Sequence, residues 1–77
     1  MGGKKTSITN HMKRIRLART ELTQSELARR VGATRQTILA LEAQKYAPSQ
    51  ELAFRIAYVL EEPLDEVFIF NSSDIAP

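Results

Sequence analysis

The sequence predicts a single all-α domain of five helices closed by one short C-terminal β-strand. Three observations carry that reading. Apolar residues recur at spacings of three and four through most of the chain, the mark of helices buried on one face. Helix-capping residues and a glycine fall where those stretches begin and end. Only Phe68-Ile69-Phe70 departs from the pattern, toward aromatic and β-branched residues with strand preference.

A chain of 77 residues accommodates one compact domain and not two, so any function must share a single core. Hydrophobic residues make up 43% and charged residues 26%, the balance of a chain that folds. Cysteine is absent, which excludes a disulfide framework and a thiolate metal site and leaves packing, with or without a second subunit, to hold the core. No run approaches the roughly 18 apolar residues of a membrane span, and no apolar stretch follows the N-terminal lysines as in a signal peptide. A cytoplasmic protein without membrane contact is expected.

Residues 1–11 surround the isolated Ile8 with polar residues and glycine, so no periodic face runs through them and they read as a flexible arm. Lys4 and Lys5 in this arm are candidate phosphate contacts. The pair His11-Met12 also fits a cloning junction or an internal start, with Met12 as the natural first residue. The folded domain is expected over residues 12–70, with a polar tail over 71–77.

From Met12, the apolar residues Met12, Ile15, Ala18 and Leu22 recur three and four apart with Lys13, Arg14 and Arg16 between them, giving a first helix that ends near Thr20. Thr23, with Glu26 three positions on, forms a Thr-x-x-Glu capping box that opens a second helix, whose inner face is Leu27, Ala28 and Val31. Gly32 suits a left-handed turn. Thr34 again has the N-cap type. Ile38 and Leu41 carry the buried stripe of a third helix over about 34–44, leaving Arg35, Gln36, Leu39 and Ala40 directed elsewhere. Tyr46-Ala47-Pro48 breaks the pattern, and Ser49 with Glu51 behind it opens a fourth helix through Leu52, Ala53, Ile56, Ala57 and Leu60. Phe54, Tyr58 and Val59 make this helix apolar on nearly every side, more than its own core can cover. Pro63 suits the first turn of a short fifth helix, Leu64 to Val67, followed by the Phe68–Phe70 strand.

The charge is lopsided. Residues 1–45 hold ten Lys/Arg against three acids, for +7, while residues 46–77 hold Arg55 against six acids, for −5. The basic half is the one able to face phosphate, although a solvated surface gives the same imbalance. The segment Gln24–Ile38 sharpens the choice. Two helices joined by a turn of three or four residues approach closely, so the first needs a small residue at the contact, here Ala28, and the turn needs Gly32. Val31, Ile38 and Leu41 then lock the pair onto the other helices and leave Thr34, Arg35, Gln36 and Thr37 projecting. A helix fits the major groove of B-DNA, where Arg pairs with guanine O6 and N7 and Gln with adenine N6 and N7.

These residues, in LTQSELARRVGATRQTILALE with the later KYAPSQELAFRIAYVL and PLDEVF, resemble the Cro and phage-repressor family of helix-turn-helix transcription regulators, in particular its short bacterial members. The resemblance covers about Met12 to Phe70. It implies a five-helix, lambda-repressor-like DNA-binding domain that grips operator DNA as a symmetric dimer, with the third helix in the major groove. Carried over position by position, it makes Arg35, Gln36 and Ala40 base contacts, Ala40 through a thymine methyl. It makes Gln24 and Thr37 phosphate contacts, and Thr34 a cap, a phosphate contact or both. Lys45 and Tyr46 match a loop that touches the backbone, with a core position the other reading of Tyr46. Glu42 matches an acid that pairs with an arginine of the first helix, for which Arg19 is the candidate. Two features depart from the family pattern: the stretch from Arg19 to Gln24 is shorter than usual, and Glu61-Glu62 stand where relatives place a turn-forming glycine.

One domain reads too few base pairs to select a genomic site, and two-fold pairing on adjacent major grooves is the usual remedy. Phe68, Ile69 and Phe70, covered by Phe54 and Tyr58, form the candidate dimer surface; folding back on their own core is the competing arrangement. The expected function is a sequence-specific regulator, a repressor on a palindromic operator, with double-stranded DNA and a second copy as partners and with no cofactor, metal or small-molecule effector. An antitoxin that also holds a protein partner and an interaction module without DNA binding are the alternatives. Catalysis is not expected, because the only histidine, His11, lies in the arm and no pair of acids converges across a cleft.

Overall fold

Three of the connections into a helix end on a side chain that caps it. In the computed structural model, which describes residues 6–75, Thr23, Thr34 and Ser49 accept hydrogen bonds from the backbone N–H groups of Glu26, Thr37 and Leu52. These caps open α2 (Gln24–Val31), α3 (Arg35–Glu42) and α4 (Gln50–Leu60). At α2 the capping box is complete: the Glu26 carboxylate accepts from the Thr23 N–H at 2.9 Å. That bond, and then the Thr23 hydroxyl, hold the Glu26 carboxyl below its ordinary pKa. α1 (Met12–Arg19) and α5 (Leu64–Val67) complete the helices, and a 3-10 turn, Ser72–Asp74, follows the last strand.

The ends of α2, α3 and α4 share one device. The amide of Ala33 bonds to the carbonyl of Ala28, that of Lys45 to Ala40, and that of Glu62 to Ala57, each closing a Schellman motif. The residue before each of those amides is left-handed. Gly32 has φ 75°, Gln44 φ 63° and Glu61 φ 57°. Only the first is a glycine. The third helix therefore stops at Glu42, short of the expected Gln44, and the acidic pair at the end of α4 forms the glycine-type turn without a glycine.

Met12, Leu27, Val31, Ile38, Leu41, Ile56 and Val67 are almost completely removed from solvent and form one core with Ile15, Ala28, Ala57 and Leu60. Burying a side chain of this size contributes about 1.5–3 kcal/mol, so these residues are what hold the helices together. The inner stripe of α1 is Met12, Ile15 and Arg16, with Ala18 exposed. At 3.6 residues per turn, position 16 stays close to the Met12 side of the helix while position 18 has swung well away from it.

The largest departure from the sequence expectation is at the N-terminus. Residues 1–5 of the expected arm lie outside the described residues, but Ile8–Asn10 form a strand, β1, antiparallel to β2 (Phe68–Phe70), with Ile8 opposite Phe70 and Asn10 opposite Phe68. Asn10 is buried, and its side chain donates to the Leu41 carbonyl at 2.8 Å and accepts from the Met12 N–H at 3.1 Å. Nothing local in a stretch with one isolated apolar residue announces a strand. Its ladder partner lies at the other end of the chain.

Candidate nucleic-acid interface

α2 and α3 meet across the three residues Gly32, Ala33 and Thr34, with Leu27, Ala28, Val31, Ile38 and Leu41 buried between them and the rest of the core. Ala28 is 3% exposed, as close helix approach requires. At Gly32 the left-handed φ excludes most side chains, and a Cβ there would meet the Arg55 guanidinium at 3.0 Å. This scaffold aims α3. Thr34 is its cap, with the Thr34 hydroxyl accepting from the Thr37 N–H at 3.1 Å and lying 3.0 Å from the Thr37 hydroxyl.

Arg35 and Gln36 are exposed in the first turn of α3, and neither side chain has a hydrogen-bond partner among the described residues. Further along, Leu39 and Ala43 are exposed and Ala40 is half-buried. On a helix, positions 35, 36, 39, 40 and 43 fall within one arc of less than half the circumference. Ile38, Leu41 and Glu42 occupy the opposite arc and are buried. The outward face is thus the one the sequence expects, with Leu39 lying between Arg35 and Gln36.

Behind it lies a buried ionic cluster. The Glu42 carboxylate accepts from the Arg16 guanidinium at 2.8 and 3.1 Å, and both side chains are under one-tenth exposed. A further Arg16 N–H donates to the Leu22 carbonyl at 3.1 Å. The partner of Glu42 is therefore Arg16 and not Arg19, which instead pairs at the surface with Glu62 at 2.6 Å. The periodicity of α1 carries the signal for this: position 16 falls on the inner stripe with Met12 and Ile15.

Gln24 sits half-buried at the start of α2, where its amide donates to Glu42 at 3.1 Å. That bond uses one of the two amide hydrogens, and the other has no partner among the described residues. Lys45 and Tyr46 follow α3 on the surface. Tyr46 is 40% exposed, which removes the core reading of this residue. Lys13, Arg14, Arg29 and Arg30 add exposed cationic side chains on α1 and α2. Among the described residues no group of His, Cys, Asp and Glu gathers as a metal site, and no helix is long and apolar enough to cross a membrane.

The expected dimer surface is partly uncovered. Phe54 is 52% exposed, Tyr58 85% and Phe70 53%, while Phe68 and Ile69 are half-buried. Phe54 lines two adjoining grooves, one with Ile8, Leu64 and Phe68, the other with Arg30, Tyr58 and Val59.

The two edges of the sheet differ. Bonds from Asn71 N–H to the Ser7 carbonyl and from His11 N–H to the Val67 carbonyl, both 2.8 Å, turn positions 67, 69 and 71 toward β1. The alternation of an antiparallel ladder then directs positions 68 and 70 away from it. On the β1 side most of the outer edge is taken up: the Gln44 amide bonds both the N–H and the carbonyl of Asn10 at 2.9 Å, and the Ile8 N–H donates to the Thr6 hydroxyl. On the β2 side the Phe68 N–H is held by the Leu64 carbonyl. The outward N–H and carbonyl of Phe70 have no partner among the described residues.

Two helices packed across a three-residue turn, the second with an uncovered polar first turn and a basic surround, define a helix-turn-helix domain. The Helix-turn-helix family model matches residues 12–67, and the chain belongs to that family of DNA-binding transcription regulators. A relative from Methanothermobacter thermautotrophicus, named an uncharacterized HTH-type transcriptional regulator, is 48% identical over 68 residues, covering 87% of this chain and 91% of the relative. One of the same description from Archaeoglobus fulgidus is 45% identical over 58 residues, covering 75% of this chain and 82% of the relative. YgzD of Bacillus subtilis, also named an uncharacterized HTH-type transcriptional regulator, is 39% identical over 59 residues, covering 77% and 88%. The likeness thus extends to archaea and is not confined to bacterial members.

Proposed function

We propose that this protein is a repressor that binds a palindromic operator as a homodimer, with α3 in the major groove of each half-site. The observation that carries the reading is the pair Arg35 and Gln36, exposed and without hydrogen-bond partners among the described residues at the projecting end of a capped helix. Arg35 and Gln36 read base edges, and Ala40 meets a thymine methyl. Gln24, Thr34, Thr37, Lys45 and Tyr46 contact the backbone. Repression is the outcome that occupancy of a promoter site produces by itself.

Support for the homodimer comes from the asymmetry of the sheet. Among the described residues, Phe70 is the edge position whose N–H and carbonyl both lack a partner, so two copies related by a two-fold axis can satisfy each other there. The exposed Phe54 shares one groove with Phe68 of the same strand as Phe70 and another with Tyr58, apolar surface that a second copy buries. Two half-sites then lie one helical turn, about 34 Å, apart.

Selection from random duplex DNA followed by sequencing tests the reading, since it returns site, symmetry and spacing together. The expected result is an inverted repeat. Arg35→Ala is expected to lose about 1–3 kcal/mol on that site and far less on random DNA. Equal losses on both would remove Arg35 from base reading, and the absence of any enriched motif would favour an interaction module that does not read DNA.

A further inference from the structure

The outward face of α3 changes chemistry after its first turn. Arg35 and Gln36 are followed on the same arc by Leu39, Ala40 and Ala43, none of which carries a hydrogen-bonding group. Leu39 is 36% exposed and belongs neither to the core nor to the residues packed against it. A second leucine, Leu17 on α1, is more exposed still, but it lies outside this arc. Leu39 projects from the surface that the proposed function places in the groove, about 6 Å along the helix axis from Arg35, or one to two base-pair steps of about 3.4 Å.

A base edge in the major groove offers one apolar group, the C5 methyl of thymine. A leucine held against any other base edge would desolvate a polar atom without replacing its hydrogen bond, which is unfavourable. We infer that Leu39 is a specificity-determining residue that packs on a thymine methyl, so that each half-site carries a thymine one to two steps from the base pairs read by Arg35 and Gln36. The inference rests on the reading of α3 as the groove helix. It adds a base position that Arg35, Gln36 and Ala40 do not account for.

The test uses the selected operator with each thymine of a half-site replaced in turn by deoxyuridine, which removes only the methyl. Binding of the wild-type protein and of Leu39→Ala is measured by fluorescence anisotropy. At one position the wild type is expected to weaken about three- to ten-fold, the scale of one or two buried methyl-sized contacts. Leu39→Ala is expected to bind the unmodified operator weaker by a similar factor and to be indifferent to deoxyuridine at that position. Melting of Leu39→Ala near the wild-type temperature, expected for an exposed site, separates loss of contact from loss of fold.

An operator with no thymine at that distance, a wild type insensitive to every replacement, or an unchanged deoxyuridine penalty in Leu39→Ala overturns the inference. If Arg35→Ala in those cases loses affinity for the operator and far less for random DNA, only the role of Leu39 falls. If Arg35→Ala loses equally on both, or no operator is enriched, the groove reading of α3 falls with it.

Discussion

Gln44 and Glu61 occupy the same left-handed position in the same motif, with φ 63° and 57°, and replacing each by glycine separates backbone strain from side-chain contact. A non-glycine residue in this region carries roughly 1–2 kcal/mol of strain. Glycine removes it and costs about 0.4–1 kcal/mol through the greater freedom of the unfolded chain. At position 61 the side chain is exposed and makes no hydrogen bond among the described residues. Glu61→Gly is therefore expected to stabilise by about 0.5–1 kcal/mol, an upward shift in Tm of a few degrees. At position 44 the same relief is opposed by the loss of both amide bonds to Asn10, at 2.9 Å each. Each such bond contributes about 0.5–1.5 kcal/mol net, and Asn10 is buried, so its freed backbone groups add a desolvation cost. Gln44→Gly is expected to destabilise by about 1 kcal/mol or more. Urea unfolding of both variants and the wild type at one protein concentration reads the two effects as shifts in midpoint at constant m-value. Shifts of the same sign and size would refute the reasoning, because they would mean that the Gln44 clamp on β1 contributes nothing.

Three further outcomes follow from the buried cluster, the open edge and the capping box. Arg16→Ala leaves Glu42 buried without its cation and is expected to cost about 3–5 kcal/mol, with the loss at Arg19→Ala under about 1 kcal/mol because the Arg19 side chain is 66% exposed; thermal unfolding that ranks them the other way would contradict the Arg16 pairing. Phe70→Pro removes an N–H that faces away from β1, so the intrachain ladder should survive in circular dichroism while analytical ultracentrifugation shows monomers; a dimer unchanged in affinity would place the interface elsewhere. Because the Glu26 carboxyl is held below its ordinary value of 4.5, the stabilisation from its bond to Thr23 is fully present above that pH and fades as the pH falls through the lowered value; Glu26→Ala should flatten that part of the acid unfolding curve, and an identical curve would deny the bond a role.

Much of this protein is local, and local structure is what an amino-acid sequence states directly. Thr23, Thr34 and Ser49 cap helices because their hydroxyls reach amides two or three residues on, and Gly32 turns left-handed because it has no Cβ. The stripes Leu27, Ala28, Val31 and Ile38, Leu41 follow from helical periodicity, and with them the outward placement of Arg35 and Gln36. Tertiary structure decided what depended on distant partners. It turned Ile8–Asn10 from an arm into a strand, since ladder pairing and the Gln44 clamp come from parts of the chain that the segment itself does not encode. Arg16 rather than Arg19 meets Glu42 because helix packing, not charge, chooses which of two arginines faces inward. Left-handed turns at Gln44 and Glu61 are held by the packing around them against their own preference, so no residue type could announce them. The exposure of Tyr46 was likewise settled by what the neighbouring helices left uncovered.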